Sequence, residues 1–427
     1  MAVAPRSAAA LTHRDSVPHS MTRRVGLPLA AMYVLTLVGF PLVSTVPVLV
    51  GLDSQAATIP YRAAMVGLSF AILYGWWLQR SRVCLSLPII LALLLWVLLV
   101  GRLLLDTVVD PLPGDIGLPV SQFLLLSLGA CFLPSLAFLE APSVATADLA
   151  RRCIEVLGAV AMLLVLYLGL RGVFAGGVLR RLSTPVLNPI SVGHLGVSVL
   201  IVAMCGLASA SRVARLLRWL LMALSVVVVV ASASRGPILA MLLATLVFAF
   251  TRPRQRRVGP LSLLLRVALI AAVLVAVMAG IDWLETNDYI RFAERFADTL
   301  SDASAQERVA MAVGAWRQFL DHPLLGSAAF ELGSYTYPHN VVLESLMATG
   351  IIGFALLLGS GGAAMVAAFR IIRASSPFAW IALVYLQYVV HCMVSGSLYL
   401  EAPFWSFGFG SLAIAQTLSR GGDANGA

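Results

Sequence analysis

Apolar residues fall in runs of about 18 to 23 along most of the 427-residue chain, the length that carries a helix across ~30 Å of hydrocarbon at 1.5 Å per residue. Lipid offers no partner to a backbone amide or carbonyl, so such runs must be helices. A water-soluble fold is excluded by composition: 60% of the residues are apolar and 11% charged, whereas a soluble chain carries about a quarter charged. The runs lie near 27–49, 62–78, 83–105, 118–139, 154–173, 190–208, 216–232, 237–251, 260–281, 340–360, 378–395 and 403–418. They predict an all-α polytopic membrane protein with about 12 transmembrane helices and one helical loop outside the bilayer. Two runs are irregular: 83–105 contains Arg102, and 237–251 is short.

An even number of spans puts both termini on one side, and cytoplasmic loops are the arginine- and lysine-rich ones. All 29 basic residues are arginines; 19 fall on the amino-terminal side and 10 on the other, while 15 of the 20 acids fall on that other side. Both ends are therefore expected in the cytoplasm. The stretch 1–24 reads as a cytoplasmic tail before a retained first helix, because no small-residue cleavage site follows it. The remaining expected organisation is helices 1–9 over 25–282, an outer helical loop over 283–338, helices 10–12 over 339–419 and a tail over 420–427.

Arginine without lysine has a bland source in a GC-rich genome and a functional one in bidentate phosphate binding. The basic charge is not gathered into a soluble domain, so no nucleic-acid partner is expected. Cys84, Cys131, Cys153, Cys205 and Cys392 lie in or beside apolar runs without a C-x-x-C, which argues for neither a disulfide framework nor zinc. Arg180 and Arg181 near one outer loop, and Arg235 in Ser234-Arg235-Gly236, stand where the charge rule disfavours arginine. They answer either to an anionic partner on that face or to the outer acids.

Within 283–338, Ile290, Phe292, Ala293, Phe296 and Leu300 follow helical spacing. Ser304 and Glu307 resemble a capping box for a second helix running to about Leu320, with Val309, Val313, Trp316 and Leu320 on one stripe and Arg308 off it. His322-Pro323 stops it. Two amphipathic helices there read as a lid or as a connector packed on the bundle. Tyr337-Pro338-His339-Asn340 follows, with Pro338 expected to set the start of the next helix. That turn holds His339 at the membrane surface, where a histidine near neutral pKa suits a general base or a purely structural role. His322 has the same standing. His194 and His391 read as packing or lining residues within the membrane.

The series Ser234-Arg235-Gly236, His322-Pro323-Leu324-Leu325-Gly326, Tyr337-Pro338-His339-Asn340, Glu344 and Gly350-Ile351-Ile352-Gly353 resembles the O-antigen ligase and polymerase superfamily. Asn188-Pro189 with Gly193 resembles a further element of its pattern. The resemblance covers about 185–360 by motif, and every motif falls on the face that the arginine count makes periplasmic.

The resemblance implies a bacterial inner-membrane glycosyltransferase acting at the periplasmic face. Its donor would be an undecaprenyl-diphosphate-linked glycan, and its acceptor a sugar hydroxyl such as that of lipid A core. His339 would be the base, and Arg235, with Arg180, Arg181 and Arg308, would bind the diphosphate. Asn340, Glu344, Ser234 and Asn188 would support them, Glu344 by orienting His339 or capping its helix. No cofactor is expected; no D-x-D or clustered acid pair stands on the outer face to hold a metal. Membrane lipids complete the expected partners. A ligase and a repeat-unit polymerase share donor and constellation; the modest outer loop looks nearer the ligase. A lipid-linked oligosaccharide flippase or other transporter would instead need mid-span charges and paired broken helices, and a scaffold that merely presents the loop would need neither Arg235 nor His339.

Overall fold

The computed structural model describes residues 26–51, 54–78, 85–108, 119–174, 181–207, 211–251 and 303–423. The tail 1–24, Arg180, the run 260–281 and the amphipathic stretch 286–300 lie outside them. The described residues form helices without a β-sheet. In chain order these are α1 (Leu27–Leu49), α2 (Ser54–Leu78), α3 (Leu87–Val108), α4 (Val120–Leu139), α5 (Val144–Phe174) and α6 (Pro189–Gly206). There follow α7 (Arg212–Ala231), α8 (Arg235–Thr251), α9 (Ala303–Asp321), α10 (Val341–Arg373), α11 (Ala379–Val394) and α12 (Ala402–Asp423).

Among the described residues, eight helices are long and apolar enough to cross a membrane: α1, α2, α3, α4, α5, α6, α7 and α10; α8 and α11 are apolar but shorter. This is a polytopic helical membrane protein. Helices α6, α11 and α12 carry the most thoroughly buried stretches, and the large buried rings of Tyr33, Trp380, Tyr385, Tyr399 and Phe407 lie in the core they share with α1. Outward-facing leucines and valines on α3, α5 and α7 remain exposed, as lipid-facing positions must.

Arg102, irregular in the sequence, is paired within α3: its guanidinium meets Asp106 Oδ1 at 2.5 Å, one turn on. Asp106 Oδ2 then accepts from the Ala329 amide at 2.7 Å, tying the segment after α9 to the end of α3. At the opposite end of the bundle Arg151 lies between Asp148 and Glu155, and Arg218 reaches Glu155 and the carbonyl that closes α6, Gly206. Each buried charge there meets an opposite charge, the condition for keeping it ionised in a dry site.

Several details differ from expectation or add to it. Ser304 lies inside the first turn of α9, not at its cap, because the helix begins at Ala303. The stripe Val309, Val313, Trp316 and Leu320 is the exposed face of α9; Met311, Ala315 and Gln318 are buried on it, and Gln318 bonds Phe330 O and the Leu332 amide while Gly314 leaves room for Glu331. Helix α12 runs to Asp423, into the stretch expected as tail.

Candidate functional site

Three chain turns meet at one end of the bundle. The first joins α7 to α8 through Ser232-Ala233-Ser234. Arg181 donates to Ser234 Oγ at 2.9 Å and to the Ser232 carbonyl at 3.4 Å, and the Leu182 amide donates to Ala231 O at 2.8 Å. This fastens the segment before α6 onto the turn that presents Arg235. Asn188 caps α6, its side chain accepting from the Ser191 amide at 2.8 Å with Pro189 next. Gly193, one turn further, lets α6 press on the same turn: a Cβ there would stand 2.6 Å from Pro237 and 2.8 Å from Ser232 Oγ. The motif residues Asn188, Gly193 and Ser234 thus have a shared structural reason.

The second turn is 337–340. Asn340 Oδ1 accepts from the Val342 and Leu343 amides at 3.0 and 3.1 Å, capping α10. Its Nδ2 donates to Met393 O at 3.0 Å. The helix start expected from Pro338 therefore belongs to Asn340, which satisfies two otherwise orphaned amides. His339, just before the cap, sits at φ +56, a conformation uncommon for a residue with a side chain.

The third turn ends α11. Its last carbonyls face the other two elements in order: Met393 O takes Asn340, Val394 O takes Arg308 of α9 at 3.2 Å, and Ser395 O lies 3.2 Å from His339 Nδ1. A Cβ on Gly236 would stand 3.1 Å from Val394. The turn bearing Arg235, the helix bearing Arg308 and His339 are therefore gathered around Val394 and Ser395. Arg181 joins them through Ser234.

Electrostatics follow from this packing. A carbonyl only accepts, so the contact with Ser395 O places the His339 proton on Nδ1 and leaves Nε2 as the lone-pair nitrogen. Burial lowers the His339 pKa below the ordinary histidine value, and the nearby Arg308 charge works the same way, against the Ser395 bond that favours the cation. Its ring packs edge-on against Tyr337, with centroids 4.6 Å apart. Burial pushes the Tyr337 hydroxyl up to about 12, so it remains protonated at neutral pH.

Glu344 sits elsewhere than the sequence suggested. It is buried on α10 and accepts from Ser397 Oγ and the Leu398 amide, both at 2.6 Å, so it grips the loop between α11 and α12. Both of these bonds are to that loop, because a step of five residues turns it away from His339 on a helix. His391 is also more than a lining residue: its Nε2 lies 2.9 Å from Glu401 Oε2. Nothing in the local pattern around Glu401 signals this pair.

The two glycine motifs form one interlock. Ile351 N donates to Pro323 O at 2.9 Å and Ser327 N to Met347 O at 3.0 Å, across a break in α10 at Gly350. Gly350 has φ +65 and ψ −162, a region open essentially to glycine alone. A Cβ on Gly350 would meet the Leu324 backbone, and one on Gly326 would meet the backbone of Ala348. His322-Pro323-Leu324-Leu325-Gly326 and Gly350-Ile351-Ile352-Gly353 are thus two halves of a backbone joint that seats α9 on α10.

No curated protein and no solved structure matches this chain. Residues 220–358, which span the α7–α8 turn, α9, His339 and the break in α10, match the family model described as O-antigen ligase. Over those residues the chain is similar to the O-antigen ligase family, and the likeness supports glycan transfer of the ligase or polymerase type in general.

Proposed function

We propose that the chain is an inner-membrane O-antigen ligase that works at the periplasmic face. It moves a glycan from an undecaprenyl-diphosphate carrier to a sugar hydroxyl of lipid A core. The observation that carries this reading is His339, held by the Ser395 carbonyl with Nε2 as its basic nitrogen, beside Arg308 and the turn bearing Arg235. The acceptor hydroxyl gives its proton to Nε2 as its oxygen bonds to the anomeric carbon of the donor. The bond from that carbon to the diphosphate breaks, and the electron pair leaves on the diphosphate. Proton removal by a placed base contributes typically ~10²–10⁴-fold. Arginine suits the leaving group because its planar fork binds phosphate oxygens in pairs and stays charged. Arg235, Arg308 and Arg181 fill this role; Arg180 is assigned with them from the sequence alone. Asn340, Ser234 and Asn188 hold the turns, and Glu344 holds the loop behind Ser395.

The test uses purified protein, lipid-diphosphate-linked glycan and lipid A core, with neither nucleotide nor metal added. Wild type is expected to glycosylate the core, and His339→Ala and Arg235→Ala to lose that activity. Elongation of the donor glycan without transfer to core would make the protein a polymerase. Absence of both products, with the variants indistinguishable from wild type, would return the reading to a transporter.

A further inference from the structure

The carbonyl that selects the His339 tautomer lies on a turn with a buried histidine–carboxylate pair at its base. Ser395 N and Gly396 N both donate to the His391 carbonyl, at 2.8 and 3.0 Å, where α11 ends. Glu401 N donates to Ser397 O at 3.1 Å, and the Glu401 carboxylate reaches back to the His391 ring. The two side chains are only 11% and 18% exposed. Glu344 holds the middle of the same turn through Ser397 and Leu398. Residues 395–401 are therefore fastened at two points, both carboxylates.

The protons of this cluster follow from its partners. The Glu401 carboxylate accepts, so His391 carries hydrogen on Nε2, and the Nδ1 of a neutral ring is an acceptor. That Nδ1 is buried without a hydrogen-bond partner. The His194 ring packs against it with centroids 4.2 Å apart. The Gln387 side-chain nitrogen donates to His194 O at 3.0 Å and to Ser198 Oγ at 2.9 Å, and lies 3.3 Å from His194 Nδ1. His194 Nε2 is the second buried ring nitrogen without a partner. Two unmet ring nitrogens thus stand on two rings in contact.

We propose that Glu401 and His391 are positioning residues for His339: their pair sets the turn that carries the Ser395 carbonyl and so keeps the base in its Nδ1–H form. The inference rests on His339 being the base. Removing one member of a buried pair leaves the other uncompensated, so the turn relaxes and the carbonyl leaves the ring. The groups facing His339 are Arg308 and Glu307 from α9, Tyr337 from its own segment and His391 from α11. The Ser395 bond is the one that stabilises the imidazolium directly, so its loss makes His339 harder to protonate.

The test compares wild type with Glu401→Gln, Glu401→Asp, His391→Ala and His339→Ala in the transfer assay, with rates normalised to folded protein. Misplacing a base by about 1 Å costs up to ~10²-fold. Glu401→Gln and His391→Ala are therefore expected to lose about tenfold to a hundredfold in kcat with KM for donor and acceptor little changed. The acidic limb of their pH–rate profile moves to lower pH. Glu401→Asp, which keeps the charge, recovers most of the rate. In ¹⁵N-histidine spectra the His339 signals, assigned by their loss in His339→Ala, show the Nδ1–H tautomer in wild type and a mixture in Glu401→Gln. Wild-type kcat, pH limb and tautomer in Glu401→Gln, beside an inactive His339→Ala, would overturn the positioning role and leave the base in place. An active His339→Ala would instead remove the reading on which the proposal stands.

Discussion

His339 and Asn340 share one task, and two measurements separate their parts. On the proposed reading His339 acts as a base only when its Nε2 is unprotonated, so activity is expected to fall as pH drops through its pKa. Burial and Arg308 set that pKa below the ordinary histidine value. Transfer is therefore expected to stay level through neutral pH and to fall only below ~6.5, the value of a free histidine. An acidic limb above that value in a kcat profile would contradict this environment. Asn340 caps α10 through Val342 and Leu343 and also donates to Met393 O. Asn340→Ala should destabilise the protein by about 0.5–2 kcal/mol, read as a lower midpoint of thermal unfolding in detergent. Asn340→Asp retains the acceptor and loses the donor, so it should restore the midpoint more fully than the activity. Equal recovery of both would mean the bond to Met393 does nothing for His339.

The backbone joint between 322–327 and α10 makes a sharper demand. Gly326 and Gly350 each leave free the space that the other segment's backbone occupies. Gly350→Ala adds a collision to a conformation that costs a non-glycine residue about 1–3 kcal/mol. It should lower the thermal midpoint or the folded yield markedly, and Gly326→Ala likewise. Gly362, in the same helix, faces open space, and Gly362→Ala should be neutral or stabilising by up to ~1 kcal/mol. Similar behaviour of all three variants would refute the joint. The neighbouring face of α9 exposes Val309, Val313, Trp316 and Leu320, continuing through Leu324 and Leu325 to Ile351 and Ile352. Such a band beside a membrane span belongs at the lipid interface, where tryptophan is at home. The fluorescence lost in Trp316→Phe should be quenched by lipids brominated in the acyl chain; quenching by aqueous iodide alone would place α9 in water.

The two ends of the bundle differ in kind, and the sequence revealed that difference more readily than the site itself. Helices could be read because length and apolarity are properties of one segment: 27–49, 118–139 and 378–395 match α1, α4 and α11 within a few residues. The reason for Gly350 could not, because its partner Leu324 lies on another segment and no periodicity links them. Ser395, His391 and Glu401 escaped for the same reason, as their geometry exists only once α11 and α12 are closed by their turn. His339 was legible through its motif, while its tautomer needed the carbonyl. Sidedness rests on arginine counting and on the arrangement of α10, which joins the turn at 337–340 to the turn at 374–378 across the whole bundle. Leu332 and Ala374 are both exposed and lie at its two ends. In a cysteine-free background, Leu332→Cys should react with a membrane-impermeant maleimide on intact spheroplasts. Ala374→Cys, next to Arg370 and Arg373, should react only after the membrane is opened. The reverse pattern would put the arginine-rich end outside, and the site would then face a compartment in which the proposed donor and acceptor are not presented together.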